Sequence, residues 1–408
     1  MKTIIVQGDG LTSHALPELD GQTLLQVAKT PNLDEMASRG EFGTLTLASQ
    51  TIPLSSAVVH LSLLGYDPSR YYSGLGPYEA ASLDIVLEPH DMAFLCQFVT
   101  LGSVNGRGYD KKLGPSLTLD DEEAGGLDTE DAKELIAIAN EQLGSEAIQF
   151  YTGERHRHLM VWIGSPSRCR CYDPRAARGR TIEPFLPSGK GADVVQELME
   201  ASRVLLRHHP VNQEREQAEI NPANCLWLWG PGKAIELPKW KDRWPIPNVT
   251  ISPSSVHRGI AMSAGMDVLN PLIHTEDDSH DLSQYVELCL AEIQTRDIVY
   301  LHVPMPDTEG TTDMQAAIHT IEMFDAQVVG PLIQAFSEKG NCRLLVVGCR
   351  AGEDAQVSML FPTPYALYSP FESRHTQSQF LFDEIHAVKG PVRDATRILA
   401  RMLATEAS

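Results

Sequence analysis

The chain has 408 residues, of which 42% are hydrophobic and 21% are charged, which is typical of a globular protein with two domains. Its net charge of −21 argues against nucleic acid and anionic membrane surfaces as partners. No run of about 18 apolar residues occurs, and the N-terminus does not resemble a signal peptide. With seven cysteines read as reduced thiols, we predict a cytoplasmic protein without a membrane segment.

The N-terminal region predicts a strand followed by two helices. Thr3 to Val6 is rich in β-branched residues and leads into Gly8-Asp9-Gly10, a strand-to-loop transition where α/β proteins place functional sites. Thr30 to Asp34 predicts a helix start, with Thr30 as the cap and a proline in the first turn. A second apolar helix is predicted around Val58 to Leu64.

The middle of the chain differs from both ends. It holds an acidic helix start between Asp120 and Glu134 and apolar strands at Leu159 to Ile163 and Cys225 to Trp229. We predict that residues 88–240 form an inserted α/β cap domain.

The C-terminal third returns to alternating strands and helices. Asp297 to Val303 and Leu344 to Val347 predict buried strands, and Met314 to Phe336 is helix-periodic. Alternation of this kind predicts a largely parallel sheet with its site at the strand carboxyl ends. The predicted fold is a three-layer α/β/α sheet domain, formed by residues 1–87 and 241–408.

Ser56 is the first candidate for chemistry. A serine at a helix start can act as an activated nucleophile, because the helix dipole favours a developing negative charge. The alternative is that Ser56 is a structural helix cap.

The chain resembles the archaeal-type cofactor-independent phosphoglycerate mutase family of the alkaline-phosphatase superfamily. The resemblance rests on the strand leading into Gly-Asp-Gly, on TPNLDEMASRGEFG and on HLSLLGYDPSRYYSGLGPYEAA, and continues nearly to the end through CQFVT, YDKKLG, RHRHLMVW, NCLWLWGPG, HRGIAMSAGM and DIVYLHV. It implies an alkaline-phosphatase-like fold. It also implies isomerisation of 3-phosphoglycerate and 2-phosphoglycerate through a phosphoserine between two manganese or magnesium ions.

The family pattern assigns seven positions to the serine and its metal ligands. Three of them keep the family residue type: Asp9, Ser56 and Asp307. The other four positions carry Thr311, Cys349, Arg350 and Ser358. Because even the loss of groups that support the ligands weakens metal binding about 10- to 100-fold, we predict a degenerate metal site and no bound cofactor.

The substrate positions have also changed. Lys111 and Lys112 stand where the family has paired arginines, whereas Arg157 matches. Trp229 replaces another family arginine. Arg258 replaces the catalytic lysine, and a guanidinium cannot deprotonate in a protein. We expect Lys111, Lys112, Arg157 and Arg258 to form the remaining anion-binding set.

The remaining catalytic candidates are Ser56, Arg350 and Cys349. We expect Asp9 and Asp307 to lie close together at the strand ends, so that one cation is needed to balance them. The Arg350 guanidinium could supply it. A single-metal site, in which Asp9 and Asp307 are joined by a replacement ligand, is the alternative; the candidates for that ligand are His280, Glu309, Asp313, Cys349 and Glu353.

Whether the chain is an enzyme stays open at this stage. The first hypothesis is a pseudoenzyme that lacks the two-metal mutase reaction and acts in binding, assembly or metabolite sensing, with a small phosphorylated carboxylate or another protein as partner. The alternative is a repurposed lyase or transferase acting on a small phospho- or phosphonocarboxylate. An active phosphoglycerate mutase is the least favoured hypothesis.

Overall fold

The computed structural model describes residues 1–46, 52, 55–104, 112–271, 281–305, 313–339, 342–350, 363–370 and 380–404. Within these ranges the strands are β1 (Lys2–Asp9), β2 (Glu41–Thr46), β3 (Met92–Ser103), β4 (Leu117–Asp121), β5 (Ile148–Glu154), β6 (Arg157–Trp162), β7 (Arg168–Arg170), β8 (Ser188–Lys190), β9 (Cys225–Lys233), β10 (Asn248–Ile251), β11 (Asp267–Leu269), β12 (Ile298–Pro304), β13 (Cys342–Cys349), β14 (Thr363–Tyr368) and β15 (Val392–Asp394).

The helices of the described residues complete the secondary structure. They are α1 (Leu24–Val27), α2 (Pro31–Arg39), α3 (Ser56–Leu63), α4 (Pro68–Tyr71), α5 (Gly76–Ser82), α6 (Thr129–Leu143), α7 (Ala192–Leu206), α8 (Pro210–Gln217), α9 (Trp240–Arg243), α10 (Ser255–Ser263), α11 (Ser283–Thr295), α12 (Met314–Phe324), α13 (Gly330–Lys339), α14 (Glu384–Ala387) and α15 (Ala395–Ala404). None of them is both long enough and apolar enough to cross a bilayer.

The chain divides into two compact units. Met1–Tyr71 and Leu237–Ser408 form one, which we call the sheet unit, and Tyr72–Glu236 forms the other, the cap unit. The first boundary therefore differs from the predicted one at residue 88. Helix α5 belongs to the cap unit because Gly76 lets it lie directly against β3: a Cβ there would be 2.1 Å from the carbonyl oxygen of Ala93.

The sheet unit contains an eight-stranded sheet in the order β11-β10-β12-β1-β13-β14-β2-β15. Strands β10, β12, β1 and β13 are parallel, and β14 is antiparallel to both of its neighbours. Ile4, Ile5 and Val6 of β1 are fully buried although successive side chains point to opposite faces. Both faces are therefore covered, and the predicted three-layer α/β/α fold is confirmed.

The cap unit is built on an antiparallel sheet. Its order is β4-β3-β6-β5, with β9 also paired to β3. Amphipathic helices α6 and α7 bury one face each through residues such as Leu135 and Met199. The acidic stretch that predicted a helix start is divided: Asp121 ends β4, and Asp128 caps α6 by accepting a hydrogen bond from the backbone of Asp131 at 2.8 Å.

The helix predicted from Met314 to Phe336 is present but is not regular. A π-helical segment, Asp325–Val329, separates α12 from α13. The carboxylate of Asp325 is buried and accepts hydrogen bonds from the backbone N–H groups of Leu33 at 2.7 Å and Asn32 at 3.1 Å. Thr30 was the predicted cap of α2, but its side chain makes no capping bond. The first N–H groups of α2 are satisfied from the π-helical segment instead.

We predict that Asp325→Ala lowers the free energy of unfolding of the sheet unit by about 2 kcal/mol, because the variant leaves buried N–H groups of α2 without an acceptor. Urea denaturation followed by circular dichroism measures this change. Asp242→Ala, which removes an exposed carboxylate of α9, is the matched control and should stay within about 0.5 kcal/mol of wild type. Equal effects of the two variants would contradict the assigned role.

A second prediction concerns the buried carboxylate of Glu384, which accepts hydrogen bonds from the Thr23 hydroxyl at 2.7 Å and the Ser13 backbone at 3.2 Å. Burial raises its pKa from 4.5 to about 7. The folded state therefore holds this proton more tightly than the unfolded state, and the stabilisation is complete below about pH 4.5 and lost as the pH rises through 7.

The Glu384→Gln variant cannot ionise at this position. Its stability relative to wild type should therefore rise by about 3 kcal/mol between about pH 4.5 and about pH 8. Urea denaturation of both proteins across this range measures the change. Parallel stability curves for the two proteins would show that Glu384 does not carry the shifted proton.

Candidate functional site

The candidate site lies at the carboxyl edge of the central strands. Asp9, the last residue of β1, is in register with Cys349 at the end of β13. Ser56 is the first residue of α3, and the preceding Ser55 is the cap, with its hydroxyl accepting from the Val58 backbone at 3.3 Å. The structural alternative for Ser56 as a helix cap is therefore wrong, because Ser55 performs that role.

The Asp9 carboxylate is held by three side chains of the sheet unit. Cys349 Sγ donates to Oδ1 at 3.1 Å, and His302 Nε2 lies 3.4 Å from Oδ2. Burial alone would raise the pKa of Asp9, but the hydrogen bond and charge of His302, with hydrogen bonds from Ser56 and Cys349, hold that pKa below its usual value. Asp9 is therefore an anion at neutral pH.

Cys349 and Arg350 occupy neighbouring positions with different surroundings. Burial and the adjacent Asp9 charge raise the pKa of the Cys349 thiol well above its usual value, so this sulfur is a neutral hydrogen-bond donor. Arg350 is buried, and its Nη1 lies 2.8 Å from His14 Nε2. Compensation of the Asp9 charge by Arg350 stays a prediction, since Asp307 lies outside the described residues.

Gln7 connects Ser56 to the neighbouring strand. Its Nε2 lies 3.1 Å from the Ser56 carbonyl oxygen and 2.9 Å from Ser56 Oγ. A carbonyl can only accept, so this contact fixes which end of the Gln7 amide faces Ser56. Tyr300 donates its hydroxyl to the other end of the amide, Oε1, and burial, with the nearby Asp9 charge, raises the Tyr300 pKa well above its usual value. The amide N–H is thereby directed at the serine.

His257 was not predicted as a site residue, yet it contacts the candidate nucleophile. Its Nε2 lies 2.9 Å from Ser56 Oγ, and its Nδ1 lies 3.1 Å from Ser254 Oγ. If Nδ1 carries the proton, it donates to Ser254, and Nε2 is free to accept the Ser56 proton. If Nε2 carries the proton, it donates to Ser56, whose hydroxyl then donates to Asp9. Both arrangements polarise the serine without a metal ion.

Three histidines and Tyr300 stack beside this serine. The rings of His257 and His302 lie 3.7 Å apart and nearly parallel, and His60 stacks on Tyr300 at 4.1 Å. His60 is fully buried, neither ring nitrogen has a hydrogen-bond partner among the described residues, and burial lowers its pKa well below the usual value. The signals in the sequence are a histidine in the largely apolar helix α3 and a histidine next to an arginine in α10.

Arg258 follows His257 in α10 and is also buried. Its Nη1 donates to the backbone carbonyls of Pro253 at 2.7 Å and Ser252 at 3.2 Å. Ser252 in turn contacts His302 Nδ1 through its hydroxyl at 2.9 Å. Arg258 thus supports the loop that orients His302, and its anion-binding role stays a prediction.

The other predicted anion-binding residues belong to the cap unit. Arg157 begins β6, and its buried Nε has no hydrogen-bond partner among the described residues. The adjacent His158, also in β6, accepts from the Gly153 backbone at 3.0 Å, and burial lowers its pKa to about 3, so it is a neutral hydrogen-bond acceptor for β5. Lys112 is exposed, and Lys111 lies outside the described residues.

The described residues include only part of the predicted metal-ligand positions. No group of three or more His, Cys, Asp and Glu side chains among them is arranged to hold a metal ion. Asp313, one of the possible replacement ligands, caps α12 by accepting from the Ala316 backbone at 2.9 Å. Asp307, Thr311 and Ser358 lie outside the described part of the chain, as do His280, Glu309 and Glu353.

Two solved structures have a similar fold. A protein from Pyrococcus horikoshii has a TM-score of 0.68 at 23% identity, covering 98% of this chain and 96% of that one. A cofactor-independent phosphoglycerate mutase from Thermoplasma acidophilum has a TM-score of 0.55 at 24% identity, covering 99% and 100%. At these identities the likeness shows the fold alone.

Sequence comparison shows the family. Residues 37–212 match the family model described as 2,3-bisphosphoglycerate-independent phosphoglycerate mutase. A probable enzyme of this description from Geobacter sulfurreducens is 33% identical over 99% of this chain and 100% of its own length. One from Methanosarcina barkeri is 32% identical over 96% of both chains. The chain therefore belongs to the 2,3-bisphosphoglycerate-independent phosphoglycerate mutase family.

Proposed function

We propose that this chain is a metabolite-binding member of its family that does not carry out the two-metal mutase reaction. One observation carries the proposal. Hydrogen-bond donors of the protein contact the Asp9 carboxylate and the Ser56 hydroxyl, the two groups that the metal ions would need as ligands. The Cys349 thiol donates to Asp9 at 3.1 Å, and the Gln7 amide donates to Ser56 Oγ at 2.9 Å. A metal ion binds through oxygen lone pairs, so these donors would compete with it at both groups.

Displacement of these donors is unfavourable because they are buried. Gln7 is fully buried and Cys349 is 2% exposed. A buried donor left without its partner costs about 1–3 kcal/mol. Thr311 and Ser358 replace two imidazoles of the family pattern, so the ligand set is weak even where Asp307 contributes. These losses support the predicted degenerate metal site and an apo state at ordinary manganese concentrations.

The proposed ligand is a small phosphorylated carboxylate, the chemical class named by the relatives. In the cap unit, three successive residues have buried nitrogens without hydrogen-bond partners among the described residues: His156 Nδ1, Arg157 Nε and His158 Nε2. An anion that accepts a hydrogen bond from Arg157 would offset part of the free-energy cost of burying these nitrogens without partners. Lys111 and Lys112 complete the proposed binding set of the cap unit, and Arg258 of the sheet unit remains a separate predicted anion-binding residue. A protein partner that responds to the ligand, and a cytoplasmic location, belong to the same proposal.

A second candidate function rests on the contact between Ser56 and His257. The pair has the layout of a nucleophile and a general base, and Ser254 orients the imidazole. This supports a repurposed transferase acting on a phosphomonoester of a carboxylic acid. His257 Nε2 would take the Ser56 proton as the Oγ–P bond forms. The ester P–O bond would break, and the released alkoxide would take the proton from His257.

The proposed binding function predicts weak manganese binding. Two manganese ions should bind at least about four orders of magnitude less tightly than to a two-metal phosphoglycerate mutase run alongside, because four ligand positions have changed. Elemental analysis and titration calorimetry measure the metal, and an assay of 3-phosphoglycerate conversion measures the mutase reaction. No conversion above background is expected.

The double variant Cys349→Asp/Arg350→His is the matched gain-of-binding control for manganese. It removes the thiol donor and restores two family ligands, so its manganese affinity should increase over that of wild type. Two tightly bound manganese ions in the wild-type protein, together with mutase turnover, would contradict the proposed function.

The second candidate predicts that phosphoryl transfer from 3-phosphoglycerate persists in the presence of a metal chelator. His257→Gln should lower this rate about 10²- to 10⁴-fold, and Ser56→Ala should abolish phosphoserine formation. Mass spectrometry of the Ser56 peptide and release of glycerate are the measurements. His319→Gln, at an exposed histidine of α12, is the control. Wild-type protein without chelator-resistant turnover excludes this candidate but leaves the binding function intact.

A further inference from the structure

A cavity lies in the sheet unit, away from the edge that carries Asp9. Its volume is about 960 Å³. In register, Leu345 of β13 pairs with Leu367 of β14, and Leu367 pairs with Glu41 at the start of β2. Leu345 precedes Cys349 by four residues of strand, which is about 13 Å at the rise of an extended chain. The cavity is therefore separate from the site around Asp9 and Ser56.

The lining of this cavity is strongly cationic. Arg39, Lys389, Arg393 and Arg401 contribute four positive charges and Glu41 one negative charge. The local charge is thus +3 in a chain whose net charge is −21. We call this cavity the cation pocket.

Glu41 organises two of the arginines. Its carboxylate accepts from Arg393 Nε at 3.0 Å and Nη2 at 3.1 Å, and from Arg401 Nη1 at 2.5 Å and Nη2 at 2.7 Å. The Tyr365 hydroxyl donates to the same carboxylate at 2.7 Å. A guanidinium has five N–H donors, so Glu41 takes two from each arginine. The ion pairs with Glu41 hold the two guanidinium groups in place.

The other cations stand on different elements. Arg39, at the end of α2, pairs with Glu35 and lies over the Tyr368 ring at 5.5 Å. Lys389 is exposed in the turn before β15. Phe380 and Leu367 add an apolar wall. Guanidinium groups beside apolar side chains suit a small organic phosphate, because one guanidinium can donate two parallel hydrogen bonds to two phosphate oxygens.

We propose that the cation pocket is a second binding site, which takes a small molecule bearing one or more phosphate groups. The volume is within the range of pockets for small ligands. The site is independent of the proposed function, because it shares no residue with the region around Ser56 or with the cap unit.

Titration calorimetry with inorganic pyrophosphate at low ionic strength tests the proposal. Wild-type protein should bind it, and the double variant Arg39→Gln/Lys389→Gln should bind it at least about tenfold more weakly. Arg393 and Arg401 are left in place because their removal would leave Glu41 without its partners. Lys133→Gln, in the cap unit, removes one exposed positive charge elsewhere and should change the affinity less than twofold.

Two results would overturn the proposal. The first is an absence of pyrophosphate binding to wild-type protein whose fold is verified by circular dichroism. The second is binding that the double variant retains and Arg157→Gln loses, since pyrophosphate would then occupy the cap unit. This second result would leave the proposed function of the cap unit intact. Pyrophosphate binding that is lost in the double variant and retained in Arg157→Gln would support the cation pocket without testing the proposed function.

Discussion

The ionised carboxylate of Asp9 is the constraint on which the site depends. It ends the central strand of a sheet whose two faces are buried, so its charge must be balanced locally. In a two-metal enzyme the cations perform this function. Here His302 at 3.4 Å, the Cys349 thiol at 3.1 Å and the Ser56 hydroxyl surround the carboxylate. The site is arranged around protein hydrogen bonds, and each of its other features follows from that arrangement.

The hydrogen bonds of Asp9 extend into a network that fixes Ser56. Tyr300 orients Gln7, Gln7 donates to Ser56, and His257 contacts the same oxygen from α10. The stack of His60, His257 and His302 fills the space beside them. A family assignment made from the whole chain establishes the fold, but the chemistry depends on these few contacts. The same scaffold can thus support binding or a metal-independent reaction.

Much of the scaffold could be predicted from the sequence because it follows from local patterns. The β-branched run before Gly8 predicts β1, and the alternation of strands and helices predicts the parallel sheet. Asp9 and Cys349 are close together because the carboxyl ends of their strands meet at one edge of the sheet. Features that depend on distant contacts could not be predicted from local patterns. Asp325 caps α2 across about 290 residues of sequence, and no local sequence pattern indicates such a contact.

The histidines show a different limit of sequence interpretation. His60 and His257 lie inside segments that match the family, so the sequence gives no separate indication that they take part in chemistry. The contact of His257 with Ser56 depends on how α3 and α10 pack against each other, which neither helix specifies alone. Predictions for Asp307 and Lys111 fall outside the described residues and stay predictions.

Anomalous diffraction from crystals grown with excess manganese would test the central claim most directly. The account predicts no manganese peak between Asp9 and Ser56, with Cys349 Sγ still within hydrogen-bonding distance of the Asp9 carboxylate. Two manganese peaks bridged by Ser56 Oγ, with the Cys349 thiol turned away from Asp9, would contradict it.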